Sequence, residues 1–244
     1  MKAGRLQHAF RGLPVRKLAD IVPGRALILA PHPDDESLGC GGLIAACCAA
    51  GRPPAVVIIT DGAASHPASR AWPAPRLKRL REAEATEAAR RLGLDAEWLT
   101  FLGLPDAAAP HDGPAFDAAP DRLADIARQQ GCTTILAPWR HDPHCDHEAT
   151  WKMGVALYRR LGIALLAYPV WGWTIAPDTE LDCTEATGMR LDISAYRDAK
   201  RQAILAHRSQ YGGLITDDPQ GFQLPPDLLS AFETAFETFL MPDL

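Results

Sequence analysis

Ala30-Pro31-His32-Pro33-Asp34-Asp35-Glu36 places one imidazole and three carboxylates in a short segment, directly after the apolar run Ala26–Leu29. The apolar run predicts a buried strand, and the two prolines fix the backbone of the turn that follows it. Adjacent carboxylates repel one another, so a positive charge is needed nearby to offset them. A divalent cation held by histidine and aspartate, with one carboxylate left for proton transfer, is the simplest interpretation.

A second segment of the same kind lies far downstream. Residues 140–148, RHDPHCDHE, carry three histidines, two aspartates, a glutamate and a cysteine, and they follow the apolar run Thr133–Ala137. In an open α/β sheet, turns at the carboxyl ends of parallel strands meet at one edge and build the site there. The two segments together predict a metal enzyme rather than two unrelated surface loops.

Apolar runs alternate with alanine-rich and charged segments along the chain. Strands are predicted at 26–30, 55–60, 97–101, 133–137 and 163–170, and helices at 38–50, 76–92, 121–130 and 147–160. This alternation predicts an α/β fold: a single-domain, Rossmann-like, open and mostly parallel sheet with helices on both faces and the active site at its carboxyl edge. Residues 107–120 and 212–226 are predicted to be substrate-facing loops.

Composition narrows the class of protein. The chain has 244 residues, a formal net charge of −5 and 47% hydrophobic residues, enough for one sizeable core. This charge argues against nucleic acid or an anionic membrane as the main partner, and no apolar stretch is long enough to span a bilayer. The six cysteines lack disulfide-scaffold spacing, which predicts free thiols and a cytoplasmic location. A homo-oligomer is compatible with the sequence, and the oligomeric state stays open.

The two ligand-rich segments resemble a known family. His-Pro-Asp-Asp-Glu at 32–36 and His-x-Asp-His at 144–147 are similar to the signature of the LmbE-like, or PIG-L-type, zinc-dependent N-deacetylases of N-acetylglucosaminyl compounds. Further matching segments are Thr60-Asp61-Gly62, Arg81 with Glu84, Leu102-Gly103-Leu104-Pro105-Asp106 and the stretch KRQAILAHRSQ at 200–210. The likeness covers roughly residues 25 to 212, within one predicted domain, 1–244, whose residues 213–244 are expected to form a C-terminal loop and helix.

The resemblance implies a set of metal ligands. It assigns His32, Asp35 and His147 to one Zn²⁺ per chain, and another divalent ion such as Fe²⁺ stays open. Two imidazoles and one carboxylate leave coordination positions free for water and substrate, as catalytic zinc requires. Cys145 departs from the family pattern, which has proline there, and is expected only to fill space.

The resemblance also implies catalytic roles. Asp34 is expected to be the general base. His144, as imidazolium, is expected to stabilise the oxyanion and protonate the departing amine, with Asp146 orienting or charging it. Arg81 and Asp106 correspond to family positions that hold the sugar hydroxyls.

Other residues of these segments carry weaker expectations. His141 and Asp142 are predicted to shape their loop. Glu36 is either a neighbour that supports the ligands or a helix cap. The aromatic residues Tyr168, Trp171 and Trp173 form either a stacking wall for a sugar or part of the core.

These assignments predict a metal-dependent amide hydrolase. It would remove the N-acetyl, or N-acyl, group from an N-acetylglucosamine-type sugar conjugate and release acetate and a free amine. The partner is then a small-molecule amino-sugar conjugate, whose aglycone the motifs do not specify. Two alternatives stay open: a non-haem Fe(II) oxygenase with a two-histidine, one-carboxylate triad, expected in an all-β setting, and a non-catalytic carbohydrate-binding relative.

Overall fold

The strand that precedes the first acidic turn lies near the centre of the sheet. The computed structural model describes residues 1–183 and 185–242. The strands are β1 Val15–Arg16, β2 Arg25–Ala30, β3 Ala55–Thr60, β4 Leu99–Leu104, β5 Cys132–Pro138, β6 Ala164–Tyr168, β7 Gly188–Asp192 and β8 Phe236–Leu240. In this part of the chain they form one eight-stranded sheet with the order β1-β7-β8-β6-β5-β2-β3-β4.

Helices cover both faces of this sheet. They are α1 Ala3–Gly12, α2 Leu18–Ile21, α3 Asp35–Ala49, α4 Ala74–Arg91, α5 Gly113–Gln129, α6 Cys145–Leu161, α7 Arg197–Ile204, α8 Arg208–Tyr211 and α9 Pro226–Ala231. Successive residues of a strand point to opposite faces, so Ile28 packs in the core with α3 and α7, whereas Leu27 and Leu29 pack in the core with α5 and α6. The predicted α/β class and mostly parallel sheet are confirmed.

The order of the strands creates the crevice in which a site is expected. β2 pairs in parallel with β3 on one side and with β5 on the other. The chain leaves β2 toward β3 and returns later to the opposite side, so β2 and β5 flank a topological switch point. The turns that follow β2 and β5 are the two ligand-rich segments.

The region between β4 and β5 differs from its prediction. Residues 107–120 were expected to be a loop because they are rich in proline, alanine and aspartate, but α5 begins at Gly113 and contains Pro120. Pro114 fits the first turn of a helix, where its missing N–H is not needed. The hydrogen bond lost at Pro120 is offset by apolar contacts, because Leu123 and Ala124 are fully buried.

The C-terminal part also differs. A loop and a helix were expected after residue 212, and α9 is present, but the chain then enters the sheet as β8, antiparallel to β6 and β7. The stretch at 200–210 is not one helix. It contains the end of α7, a break near His207 and the start of α8. The break places His207 in the protein interior, where it is 1% exposed.

Candidate active site

The turn after β2 holds its acidic side chains inside the protein. Asp34, Asp35 and Glu36 are each at most 4% exposed, and His32 is 9% exposed. Asp34 has a φ of 156°, in a backbone region that favours glycine. Such strain persists only where the surroundings fix it, and it is common at functional sites.

The three predicted ligands converge on one point. Oδ2 of Asp35 lies 3.2 Å from Nδ1 of His32 and 3.2 Å from Nε2 of His147. Nε2 of His147 is buried and, apart from this 3.2 Å contact with Asp35, has no partner among the described residues, so it is available to bind a cation. Two imidazole nitrogens and one carboxylate oxygen at these spacings fit a divalent metal. The structure therefore brings the predicted ligand set together.

Asp142 fixes the orientation of His147. Its Oδ2 lies 3.0 Å from Nδ1 of His147, and the carboxylate also accepts hydrogen bonds from the amides of Val170, at 2.9 Å, and Gly172, at 2.7 Å. A carboxylate on Nδ1 keeps the proton there and leaves Nε2 as the ligand atom. The loop-shaping prediction for Asp142 is thus correct but incomplete, because sequence reasoning missed its contact with His147.

We expect Asp142→Asn to weaken zinc binding by about ten- to a hundredfold, the usual effect of losing a group that orients a metal ligand. Competition with a chromogenic chelator measures the affinity. Asp182→Asn, at an exposed position in the same half of the chain, is the matched control and should leave it unchanged. An Asp142→Asn protein that folds normally and keeps wild-type affinity would show that this carboxylate serves the loop alone.

The two adjacent aspartates have opposite electrostatic environments. Burial raises the pKa of Asp34, although the guanidinium of Arg81 acts in the opposite direction. Burial also acts to raise the pKa of Asp35, but the charges of His147 and His32 outweigh it and hold that pKa well below its usual range. Neighbouring carboxyls whose pKa values are pushed apart are suited to different chemical roles.

Arg81 lies against Asp34. Its guanidinium donates to Oδ2 of Asp34, at 3.1 Å, and to the carbonyl oxygens of Pro33 and Gly62, and the side chain is 3% exposed. Gly62 has a φ of +65°, and a Cβ there would meet the guanidinium at 2.7 Å, so glycine allows this close approach. These hydrogen bonds show that the Arg81 guanidinium holds the turn in place. The predicted contact of Arg81 with sugar hydroxyls stays a prediction.

Glu36 ties the same turn to the C-terminal part of the chain. Its carboxylate accepts hydrogen bonds from the amide of Asp34, at 2.9 Å, and from the hydroxyl of Ser37, at 2.6 Å, and it lies 3.1 Å from Nε2 of His207. These contacts favour the supporting role over a simple helix cap. The strained Asp34 backbone is therefore held from two directions, by Arg81 and by Glu36.

The second turn places His144 beside His32. His144 precedes α6, its ring meets that of His32 edge to face at 4.6 Å between centroids, and its Nδ1 accepts the amide N–H of Asp146 at 3.2 Å. Burial, followed by the neighbouring His32 and His147 rings, lowers the pKa of His144. Both findings favour the neutral ring with its proton on Nε2, not the expected imidazolium.

Asp146 does not take the position expected from its sequence spacing. Its Oδ2 lies 3.0 Å from Nε2 of His32, and its two oxygens accept the amides of Ala107 and Ala109. The carboxylate is fully buried at the start of α6, where these amides and the His32 ring satisfy it, so it orients His32 and the 107–109 loop rather than the His144 ring. Its predicted role of orienting or charging His144 stays a prediction.

A cavity of about 410 Å³ opens beside these residues. Its lining residues are His32, Asp34, Asp35, Leu38, Ala64, Ser65, Pro67, Arg81, Asp106, Ala107, His144, Val170, Trp171, Gln210, Gln220, Phe222 and Leu224. Asp106, a predicted substrate contact, accepts the amide of Ala64 at 2.8 Å and faces this space. The sequence left undecided whether three aromatic residues contact a sugar or belong to the core. Trp171 lines the cavity, whereas Tyr168 is fully buried and Trp173 packs against Phe10.

Cys145 is the first residue of α6 and is exposed, with Sγ 3.7 Å from the carbonyl of Ala107. The first position of a helix suits proline. We therefore expect Cys145→Pro to change zinc content and turnover by at most a few-fold, as metal analysis and initial rates would show. Cys183→Ala, at a half-buried cysteine that does not line the cavity, is a control for loss of a thiol. A marked loss of metal in Cys145→Pro, with the fold intact, would place the thiol in the coordination shell.

The fold and these contacts define an α/β protein with a candidate two-histidine, one-carboxylate metal centre in a cavity at the carboxyl edge of its sheet. Residues 27–158 match the family described as PIG-L: GlcNAc-PI de-N-acetylase. The chain belongs to this family.

Two relatives and one solved structure illustrate the similarity. The chain is 31% identical to 2'-N-acetylparomamine deacetylase of Streptomyces fradiae over 224 residues, covering 80% of this chain and 75% of that protein. It is 29% identical to the probable N-acetyl-alpha-D-glucosaminyl L-malate deacetylase 2 of Bacillus subtilis over 198 residues, covering 78% and 85%. The N,N'-diacetylchitobiose deacetylase structure from Pyrococcus horikoshii shares the fold, with a TM-score of 0.65, 21% identity and coverage of 97% and 87%.

Proposed function

We propose that the protein is a metal-dependent N-deacetylase that hydrolyses the N-acetyl, or N-acyl, amide of an N-acetylglucosamine-type sugar conjugate. The observation that carries this proposal is the convergence of His32, Asp35 and His147 beside a cavity that Asp34 and His144 also line. Relatives named as amino-sugar deacetylases support the reaction class.

The proposed metal ligands are Nδ1 of His32, Oδ2 of Asp35 and Nε2 of His147. Zn²⁺ suits two nitrogens and one oxygen with a position left open, and Fe²⁺ is the alternative ion. When bound, the cation supplies a Lewis acid for amide hydrolysis.

Asp34 is the proposed proton carrier. Arg81 and Glu36 hold it in one orientation at the cavity, where it accepts a proton from the attacking water. The same proton is then delivered to the departing nitrogen, which leaves as the free amine while acetate forms. Nδ1 of His144 is occupied by the Asp146 amide, so we assign its Nε2–H as a hydrogen-bond donor to the oxyanion. This division gives Asp34, not His144, the protonation of the amine.

The alternatives are less well supported. The Fe(II) oxygenase hypothesis predicts an all-β fold around the ligands, but the proposed ligands follow strands of a mostly parallel sheet with helices on both faces. It also leaves the strained, tightly held Asp34 without a role. A non-catalytic relative would have lost a ligand or the base, and none of His32, Asp34, Asp35 or His147 is missing.

We also propose a cytoplasmic location and a small-molecule amino-sugar partner. All six cysteines are free thiols, which is usual in a reducing compartment. None of the described helices is long and apolar enough to cross a membrane.

The direct test is an assay of zinc-loaded protein against a panel of N-acetylglucosaminides. We expect acetate and a primary amine to appear in equal amounts from at least one member, to stop on chelation and to resume when zinc is returned. Metal-loaded, folded protein that releases no amine from any N-acetylated or longer N-acylated conjugate would contradict the proposal.

A further inference from the structure

His207 is a buried histidine that none of the proposed chemical steps uses. It lies at the break between α7 and α8, far in sequence from the two ligand-rich turns, and its side chain is buried. Nε2 of its ring lies 3.1 Å from Oε1 of Glu36 and 3.2 Å from Oγ of Ser37. Because a carboxylate only accepts hydrogen bonds, Nε2 carries a proton and donates a hydrogen bond to Glu36.

The other ring nitrogen of His207 shows that stability alone does not explain a histidine at this place. Nδ1 is buried and has no hydrogen-bond partner among the described residues. A buried polar atom without a partner lowers the free energy of unfolding, and an apolar side chain of similar size would avoid that loss. The polar contacts that the structure describes for this ring lie at Nε2, on the side of Glu36 and Ser37.

The carboxylate of Glu36 connects His207 to the backbone of Asp34. Its Oε1 accepts the hydroxyl of Ser37 at 2.6 Å as well as the His207 ring. Its Oε2 accepts the amide of Asp34 at 2.9 Å, an amide that also donates to the carbonyl of His32 at 3.0 Å. Since two donors hold Oε1, the carboxylate does not rotate freely, and Oε2 stays on the residue whose φ is 156°.

Helix α4 holds both ends of this set of contacts. Arg81 donates to the carboxylate of Asp34. Glu84, three residues further along and on the same side of the helix, accepts the amide of Ser209 at 2.9 Å and its hydroxyl at 2.6 Å. This pair of bonds fixes the start of α8, two residues after His207. The contacts therefore close into a ring that runs from α4 through α8 to the turn after β2 and back to α4.

We propose that His207 is a positioning residue, which acts through Glu36 to hold the strained Asp34 in the orientation that accepts a proton from the attacking water. This inference rests on the proposed deacetylase function, because Asp34 is the base proposed for that reaction. His207 is not among the described residues that line the cavity, so it acts without touching the substrate. Its effect is on geometry, where a misplacement of about 1 Å can cost on the order of a hundredfold in rate.

Two substitutions of His207 that differ in one hydrogen-bond donor test this proposal. His207→Leu removes the donor, whereas His207→Gln places an amide N–H near the position of Nε2 and lacks only the unpartnered nitrogen. With zinc-loaded protein we expect His207→Leu to lower kcat about tenfold while KM and zinc affinity stay unchanged. His207→Gln should recover most of that loss. His8→Leu, at an exposed position on α1, is the control and should behave as wild type.

A wild-type kcat in folded His207→Leu would overturn the proposal, and so would an equal loss in His207→Gln. A double substitution separates positioning from a general loosening of the fold. In Asp34→Asn the base is absent, so adding His207→Leu should lower kcat no further. The same fall of kcat in both backgrounds would show that His207 serves the fold rather than Asp34.

Glu36→Gln tests the same link if His207→Leu does not fold. A carboxylate accepts hydrogen bonds at both oxygens, whereas an amide replaces one acceptor by a donor. Glu36→Gln therefore breaks the contact either with the Asp34 amide or with His207 and Ser37. It should lower kcat about as much as His207→Leu, by about tenfold, with zinc content unchanged. A folded Glu36→Gln protein with wild-type kcat would reject the proposal.

The ring nitrogens of His207 give a measurement that does not depend on activity. Proton–nitrogen correlation spectra of zinc-loaded protein should show a slowly exchanging Nε2–H, assigned to His207 by its loss in His207→Gln. A His207 ring without a proton on Nε2 would overturn the proposal. If this signal is present but wild type releases no amine from any N-acylated sugar, the deacetylase function fails while the link from His207 to Glu36 stands. If amine is released and the His207 and Glu36 variants keep wild-type kcat, the function stands and the positioning role is wrong.

Discussion

Replacing Asp34 by asparagine is expected to abolish most turnover while leaving the metal in place. Asparagine keeps the size of the side chain, and its Oδ1 can still accept the 3.1 Å hydrogen bond from Arg81, so the turn should persist. It cannot accept a proton from water, and loss of a general base costs about a hundredfold or more in rate. We therefore expect kcat to fall at least a hundredfold, with zinc content unchanged.

Asp112→Asn is the matched control, because Asp112 is exposed and the substitution makes the same chemical change outside the proposed machinery. It should retain wild-type kcat on a neutral substrate. Two results would reject the assignment of Asp34 as base: near-normal kcat in Asp34→Asn, or loss of zinc with full turnover restored on reconstitution. The second would make Asp34 a ligand.

His147→Gln is expected to remove most zinc binding. Nε2 of His147 is buried without another partner, 3.2 Å from Oδ2 of Asp35, so its loss removes one of three proposed ligand atoms. Changes to groups that merely orient ligands cost about ten- to a hundredfold in affinity, and loss of a ligand should cost more. Chelator competition gives the affinity, and activity should fall in parallel.

Stability provides a second measurement for this variant. At a zinc concentration about a hundred times the wild-type Kd, binding stabilises the folded state by about 2.7 kcal/mol, and a hundredfold weaker site retains only about 0.4 kcal/mol of this. Denaturant unfolding with and without zinc should show this difference, and His8→Gln, at an exposed position on α1, should behave as wild type. A full zinc-dependent stabilisation of His147→Gln would mean that the cation binds elsewhere.

The sequence was most informative where apolar runs meet ligand-rich turns. β2 and β5 are buried strands whose carboxyl ends lie side by side, so the two turns meet as the parallel topology requires. The ligand atoms of His32, Asp35 and His147 converge accordingly. The two-residue edge strand β1 and its neighbour β7 gave no recognisable run of alternating or apolar residues and were not predicted.

Supporting contacts were harder to predict because they join residues distant in sequence. Asp142 reaches the amides of Val170 and Gly172, and Glu36 reaches His207, 171 positions away. The two-residue spacing of His144 and Asp146 suggested a hydrogen-bonded pair. In the structure the Asp146 carboxylate instead accepts the backbone amide of Ala107 and lies 3.0 Å from Nε2 of His32. Spacing along a turn does not determine the direction of a side chain when neighbouring loops supply competing partners.

A crystal structure of the zinc-loaded protein, with anomalous scattering recorded at the zinc edge, tests the central claim most directly. We expect one anomalous peak per chain, with Nδ1 of His32, an Oδ atom of Asp35 and Nε2 of His147 each about 2.0–2.2 Å away. Asp34 should lie beside that site without binding the ion. A fully occupied peak at other residues, or zinc-loaded active protein in which these three side chains do not contact the ion, would contradict the account.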